Sequence, residues 1–251
     1  MKGNEHLLRW KSAIVMLAII LVVGIIDNIF LTWLFFGVVL WFGSIEAARL
    51  LKLNDKFLFL LIAIGWIGAL FLTQPIYTIF ILLIIFASKL AYDKSVDKRG
   101  FILILYPFSS LIFIWMLYLN YHMISLVWLL VIVALSDVGA YYVGRAIGKR
   151  AFSPTSPKKT LEGVFGGVGA ATIVGSIFIS STSNISFLVA LILAFFTSLS
   201  GVFGDLFESY LKREAGVKDS GDLIPGHGGV LDRVDGYLFA GVILYILLEL
   251  F

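Results

Sequence analysis

The sequence predicts an all-α, polytopic membrane protein, and three observations predict it. Of its 251 residues, 60% are hydrophobic and only 14% charged. Its mean hydropathy is +1.01. Long apolar runs recur along the whole chain. A soluble domain carries about 25% charged residues, whereas a helical span needs roughly 20 apolar ones. Hydrocarbon offers the backbone no water to bond, so helices are the natural element. The runs are too long and too continuous for barrel strands.

The runs fall near 12–27, 29–47, 57–73, 75–89, 101–119, 123–143, 163–180, 185–204 and 236–251, about nine spans in all. The first follows Lys2, Arg9 and Lys11 but lacks a small-x-small cleavage site, so it reads as a retained span rather than a signal peptide. "IIDNIF" and "TQPIY" mark tight turns between neighbouring helices. The basic residues test this division. Lys2, Arg9 and Lys11 precede span one; Arg49, Lys52 and Lys56 follow span two; Lys89, Lys94, Lys98 and Arg99 follow span four. Arg145, Lys149, Arg150, Lys158 and Lys159 follow span six, and Lys212, Arg213, Lys218 and Arg233 follow span eight. These are all nineteen Lys and Arg of the chain, and the alternate connections, "DN", "TQ", "NYH" and "SSTSN", hold none. Positive residues favour the cytoplasmic side, so the pattern predicts an N-in, C-out topology. The net charge of +3 is uninformative beside this placement. The absence of cysteine excludes disulfides and thiolate metal sites.

The polar segments 144–162 and 205–235 both fall on the predicted cytoplasmic face. Span eight runs into "SLSGVFGDLFESYLKREAGVKDS". If the helix continues, Asp205, Glu208, Ser209 and Lys212 share one face at i, i+3, i+4 and i+7. A carboxylate near the hydrocarbon boundary is costly and needs a cavity or a partner, which singles out Asp205. The plain alternative is a solvated helix end with Glu208 and Lys212 as an i,i+4 ion pair. "KDSGDLIPGHGGVLDRVDG" then gathers Asp219, Asp222, Asp232 and Asp235 around five glycines, Lys218, His227 and Arg233. Asp232 and Asp235 would suit the positive end of the last helix, but one acid is enough to cap it. Gly228 and Gly229 let the backbone approach a ligand and offer its N–H groups to anions. Hard oxygen ligands without Cys or paired His favour Mg²⁺ over Zn²⁺, and Mg²⁺ characteristically uses one or two carboxylates plus substrate phosphates. His227 stands as a lone histidine with a hydrogen-bonding role, while His6 and His122 belong to no constellation.

The other polar segment reads "SDVGAYYVGRAIGKRAFSPTSPKKTLEG". Its "SPKKT" sets Lys158 and Lys159 beside Ser156 and Thr160, a phosphate-binding loop by charge and hydroxyl contacts, or simply a positive-inside loop. Asp137 sits inside an apolar run, where pairing with Arg145, metal contact and nucleotide contact all stay open. Acids for Mg²⁺ and basic loops for phosphate, all at one membrane face, point to a substrate that is both phosphate and lipid.

"ESYLKREAGVKDSGDLIPGHGGVLDRVD" resembles the signature of the phosphatidate cytidylyltransferase (CDP-diacylglycerol synthase) family. Ser209, Lys212, Arg213, Lys218, Asp219, Pro225, His227, Gly228, Gly229, Asp232, Arg233 and Asp235 are its anchors here. "SDVGAYYVGRAIGK" and "SPKKTLEG" are also similar to the family, whereas residues 1–130 share only a pattern of spans. The resemblance implies a membrane-integral, commonly dimeric enzyme that converts CTP and phosphatidate into CDP-diacylglycerol and pyrophosphate. It implies Mg²⁺ held by Asp205 and Asp232, with a second cation open, and Ser209, Lys212 and Lys218 as site residues. The expected organisation is a generic membrane part, 1–135, and a C-terminal catalytic part, 136–251, in the inner membrane with its site facing the cytoplasm. The expected partners are CTP, phosphatidate, membrane lipids and a second copy of the chain, and no nucleic acid. In such a reaction Lys158, Lys159, Lys212 and Arg233 neutralise phosphate. The rival readings are a membrane cation transporter, favoured by intramembrane Asp137 and Asp205, a CTP-dependent lipid kinase, and a structural membrane subunit.

Overall fold

The computed structural model describes the backbone from Lys2 to Phe251 and the side chains from Trp10 onward; the side chains of Lys2, His6 and Arg9 lie outside the described residues. The fold is helical. Its elements are α1 (Lys2–Ile26), α2 (Ile29–Leu50), α3 (Lys56–Phe71), α4 (Ile76–Tyr92), a short α5 (Gly100–Leu103) continued by a π-helical turn, and α6 (Ser110–Ile147). A two-stranded hairpin follows, β1 (Ala151–Ser153) and β2 (Ser156–Thr160), then α7 (Leu161–Thr182), α8 (Phe187–Ala215) and α9 (Leu231–Leu250). Among the described residues, four segments are long and apolar enough to cross a membrane: Ile29–Leu50, Gly100–Ile147, Leu161–Thr182 and Phe187–Ala215. Trp10–Ile26, Lys56–Phe71 and Ile76–Tyr92 are shorter apolar helices.

The helix ends follow from local chemistry. Asn28 turns the chain between α1 and α2, its side chain accepting from the Phe30 and Leu31 amides at 3.0 and 3.1 Å. Asp55 caps α3 through the Phe57 amide and binds Lys89 of α4 at 2.9 Å. The Lys89 ammonium also stands over the Phe57 ring, 4.2 Å from its centre. In α6 the backbone leaves helical geometry at His122 (φ 60, ψ −175), where the sequence predicts the turn between two spans.

The segment expected as a basic loop is ordered into the β1–β2 hairpin. Ser153-Pro154-Thr155-Ser156 has the Pro and Ser placement of a β-turn, and Ser153 pairs with Ser156 in the register. Glu162 secures the start of the hairpin by accepting from the Lys149 and Arg150 amides at 3.1 and 3.2 Å and pairing with Arg150. Thr160 closes β2 and opens α7, its hydroxyl accepting from the Gly163 amide at 3.1 Å.

The chain forms two compact units: Met1–Trp115 with Glu214–Arg233, and Met116–Arg213 with Val234–Phe251. In the first, Leu58, Ile62, Trp66, Phe86, Phe108 and Trp115 are buried. In the second, Ile132, Ala171, Ile179, Leu193 and Leu238 form the interior. There α6 and α7 meet backbone to backbone: a Cβ on Gly167 would lie 2.3 Å from the Ser136 carbonyl oxygen. Such close approach through small residues is how helices pack where lipid gives no hydrophobic drive.

Candidate active site

The candidate site residues fall into two sets, one in each unit. The first set gathers at the glycine-rich segment before α9. Residues 224–228 make a tight turn, with the Ile224 amide bonded to the Gly228 carbonyl and the His227 amide to the Ile224 carbonyl, both at 2.9 Å. Gly228 takes φ +84, a backbone state that side chains disfavour. Asp232 organises this loop. Its Oδ2 accepts from the Ser220 amide and hydroxyl, both at 2.9 Å, and from the Gly229 amide at 2.8 Å. One amide of the glycine run is thus directed to a carboxylate of the protein itself. Arg233 Nε donates to the His227 carbonyl at 3.0 Å, so these two anchors hold the same turn. Nδ1 of His227 is enclosed with no hydrogen-bond partner among the described residues. Lys218 and Asp219 are exposed at the head of the loop.

Glu46, on α2, completes this set and was not singled out by sequence reasoning. Its carboxylate is 4% exposed. It accepts from the Val230 amide at 3.0 Å, the Leu231 amide at 2.8 Å and the Ser220 hydroxyl at 3.0 Å. The signal was present in "GSIEAARL": an acid in an apolar run, the same cue that singled out Asp137. Ser220, buried between the two acids, offered no such cue.

The second set lies along α8, β2 and α6. The predicted helical continuation of span eight is real, since α8 runs unbroken to Ala215. Asp205 meets the Lys159 ammonium of β2 in an ion pair. Ser209, one turn on, donates to Asp205 Oδ1 at 3.3 Å. Glu208 and Lys212 do form an i,i+4 ion pair, but it is buried: the side chains are 0% and 11% exposed, so this is no solvated helix end. Asp235 Oδ1 accepts from the Gly236 amide at 2.8 Å. A Cβ on Gly204 would lie 2.5 Å from the Asp235 carbonyl oxygen, so α8 and α9 touch beside Asp205.

A cleft of about 380 Å³ opens in this unit, lined by Asp137, Tyr141 and Arg145 of α6 and by Lys158, Lys159 and Thr160 of β2. Of the partners open to Asp137, Arg145 turns instead to the Tyr141 hydroxyl, 3.2 Å away. Lys159 and Asp205 lie within electrostatic reach of Asp137. Three cations around a cleft with two hydroxyls and one acid suit a phosphate group. Ser156 is half-buried opposite Ser153 at the hairpin turn.

Asp205 and Asp232, the acids expected to share a metal, stand in different units. Their donors are hard carboxylate oxygens, which fit Mg²⁺ by type. Among the described residues no group of three or more His, Cys, Asp or Glu forms a complete metal cage. One or two carboxylates finished by substrate phosphates is the usual arrangement for this ion.

A model of the cytidylyltransferase family matches residues 7–251. The chain belongs to this family. Among its relatives is a phosphatidate cytidylyltransferase of Helicobacter pylori strain J99, 40% identical over 250 residues that cover 98% of this chain and 94% of that one. A phosphatidate cytidylyltransferase of H. pylori strain 26695 is 39% identical over the same shares. The one from Bacillus subtilis is 46% identical over 123 residues, 48% of this chain and 46% of that one. The family match therefore spans both sets of site residues, α2 with Glu46 included.

Proposed function

We propose that this membrane enzyme joins CTP to phosphatidate, yielding CDP-diacylglycerol and pyrophosphate. The observation that carries the reading is the 40% identity, along nearly the whole chain, to a relative named for that reaction. Acids, lysines and a glycine turn of the kinds the reaction requires support it. The site faces the cytoplasm of the inner membrane in a nine-span, N-in, C-out chain, a topology supported by the one-sided distribution of Lys and Arg. A homodimer belongs to the same reading and rests on the family resemblance.

A phosphate oxygen of phosphatidate attacks the α-phosphorus of CTP in line. A P–O bond forms there, the bond from the α-phosphorus to the bridging oxygen breaks, and pyrophosphate leaves with that electron pair. A phosphomonoester has its second pKa near about 6, so the nucleophile is already dianionic at neutral pH and needs little general-base help. The obstacle is charge. Lys158, Lys159, Lys212 and Arg233 neutralise the phosphates and the leaving group. Ser156 and Thr160 donate hydroxyl bonds beside them, and Lys218 and Asp219 border the nucleotide. Ser209 holds Asp205 in its rotamer. Mg²⁺, held by Asp205 and Asp232, would align the phosphoryl groups and offset their repulsion.

The test is to incubate the purified chain in detergent with phosphatidate, Mg²⁺ and each nucleoside triphosphate in turn, measuring pyrophosphate and the lipid product. CTP-dependent pyrophosphate with a matching CDP-lipid is expected. Release of CDP would instead mark a lipid kinase, and cation flux without nucleotide would mark a transporter.

A further inference from the structure

We infer that Glu46 is a positioning residue for Asp232: the buried carboxylate of α2 fixes the loop and helix start that give Asp232 its orientation toward the metal. The inference rests on the cytidylyltransferase reading for what Asp232 does, but its geometry is independent of that reading.

Asp232 is held by two pieces of chain, Ser220 and Gly229. Ser220, and the two residues that follow Gly229, are held in turn by Glu46. Its Oε2 accepts from the Ser220 hydroxyl and the Leu231 amide, and its Oε1 accepts from the Val230 amide. Gly229, Val230 and Leu231 are consecutive, and their amides are divided between the two acids. Asp232 takes the first, and Glu46 takes the next two. The first amides of a helix have no partner within it and carry the positive end of its dipole. A buried anion from another helix meets both needs at α9. The Ser220 hydroxyl has one proton and two carboxylate acceptors, so the acids are coupled through a single bridging atom.

The fit leaves no slack. A Cβ on Gly229 would fall 2.3 Å from Glu46 Oε2 and 2.3 Å from Ser220 Oγ, and one on Gly221 would fall 2.7 Å from Glu46 Oε1. Two glycines of the loop are therefore shaped around this carboxylate. A second tie, from Ser12 Oγ to the Pro225 carbonyl at 2.9 Å, holds the far side of the loop. Ser220 is thus the outer hydrogen-bond partner of Asp232, and Glu46 stands one bond behind it, setting direction without touching the ion.

The experiment uses the full chain in detergent and compares wild type, Glu46→Gln and Ser220→Ala. Glutamine keeps the volume but puts an NH₂ donor against an N–H donor at one of the two oxygens. Mn²⁺ binding is read by electron paramagnetic resonance without substrate, beside the thermal midpoint and pyrophosphate release. Loss of an outer partner costs roughly 10–100-fold in metal affinity or activity. Glu46→Gln is expected to weaken Mn²⁺ binding by about tenfold or more and lower kcat, with a smaller shift of the same sign in Ser220→Ala. Folded Glu46→Gln with wild-type Mn²⁺ affinity overturns the inference. So does a Glu46→Gln that fails to fold while Ser220→Ala binds Mn²⁺ and turns over normally, because Glu46 then only supports the fold. Wild type that binds no Mn²⁺ overturns it as well. Wild type that binds Mn²⁺ without releasing pyrophosphate from CTP overturns the enzymatic reading and leaves the Mn²⁺ comparison to decide this one.

Discussion

The ammonium of Lys159 lies against Oδ2 of Asp205, joining a hairpin strand to a helix 46 positions further along the chain. The same lysine lines the cleft that holds Lys158, Thr160 and Asp137. It therefore stands between an acid expected to bind metal and a pocket suited to phosphate. Lys159→Met should leave the chain inserted but lower kcat/KM for CTP by about 10²–10³, the usual cost of losing one preorganised charge partner of a phosphoryl group. Lys159→Arg, which keeps the charge but not the shape, should fall between. Steady-state kinetics at varied CTP would check this; near-normal turnover in Lys159→Met would remove the lysine from the site.

Asp232→Asn should give a folded protein that releases almost no pyrophosphate at any CTP concentration. The amide can still accept from Ser220 and Gly229 through its oxygen, so the loop keeps part of its support while the negative charge is lost. Restoring activity by raising CTP would mean that Asp232 serves nucleotide binding rather than metal.

Lys212→Met should destabilise the chain strongly. It would strand Glu208, 0% exposed, without its cation. Breaking one partner of a buried pair costs about 3–5 kcal/mol, whereas replacing both with apolar residues is often neutral. The Glu208→Met/Lys212→Met double variant should thus recover most of the lost thermal midpoint. Its catalysis should stay impaired if Lys212 has the phosphate-neutralising role proposed for it. Full activity in the double variant would reduce Lys212 to a structural role.

Turnover of CTP carrying a chiral α-phosphorothioate should invert the configuration at phosphorus, as one in-line displacement requires. Retention, read by ³¹P NMR of the product, would mean two displacements and a covalent enzyme intermediate.

The native chain has no cysteine, so single replacements report sidedness directly. Lys98→Cys and Asn184→Cys are both at exposed positions. An impermeant maleimide added to intact cells should label Asn184→Cys and spare Lys98→Cys until the membrane is opened. The reverse pattern would overturn the N-in orientation.

Much of this was legible in the sequence because it is local. The i, i+4 spacing of Asp205 and Ser209 needed only α8 to continue, and it does. The break at His122 fell where apolar character lapsed. What was not legible depends on long-range pairing. The hairpin at Ala151–Thr160 looked like a basic loop because its short strands are polar, and its order comes from Glu162 and from Thr160. Glu208 and Lys212 showed the right spacing for an ion pair, but only the fold could enclose them. Glu46 lies 174 residues from Ser220, too far for any spacing rule to connect.

The tie between Glu46 and the glycine turn bears on how such proteins can be recombined. The conspicuous signature occupies the last third of the chain, and the Bacillus relative matches over only about half of this sequence. A hybrid that inherits the signature from one parent and its opening helices from another would be assembled across the Glu46 contact. Donors with a mismatched residue at that point on α2 should give inserted yet idle hybrids, and carrying the second helix along with the tail should revive them.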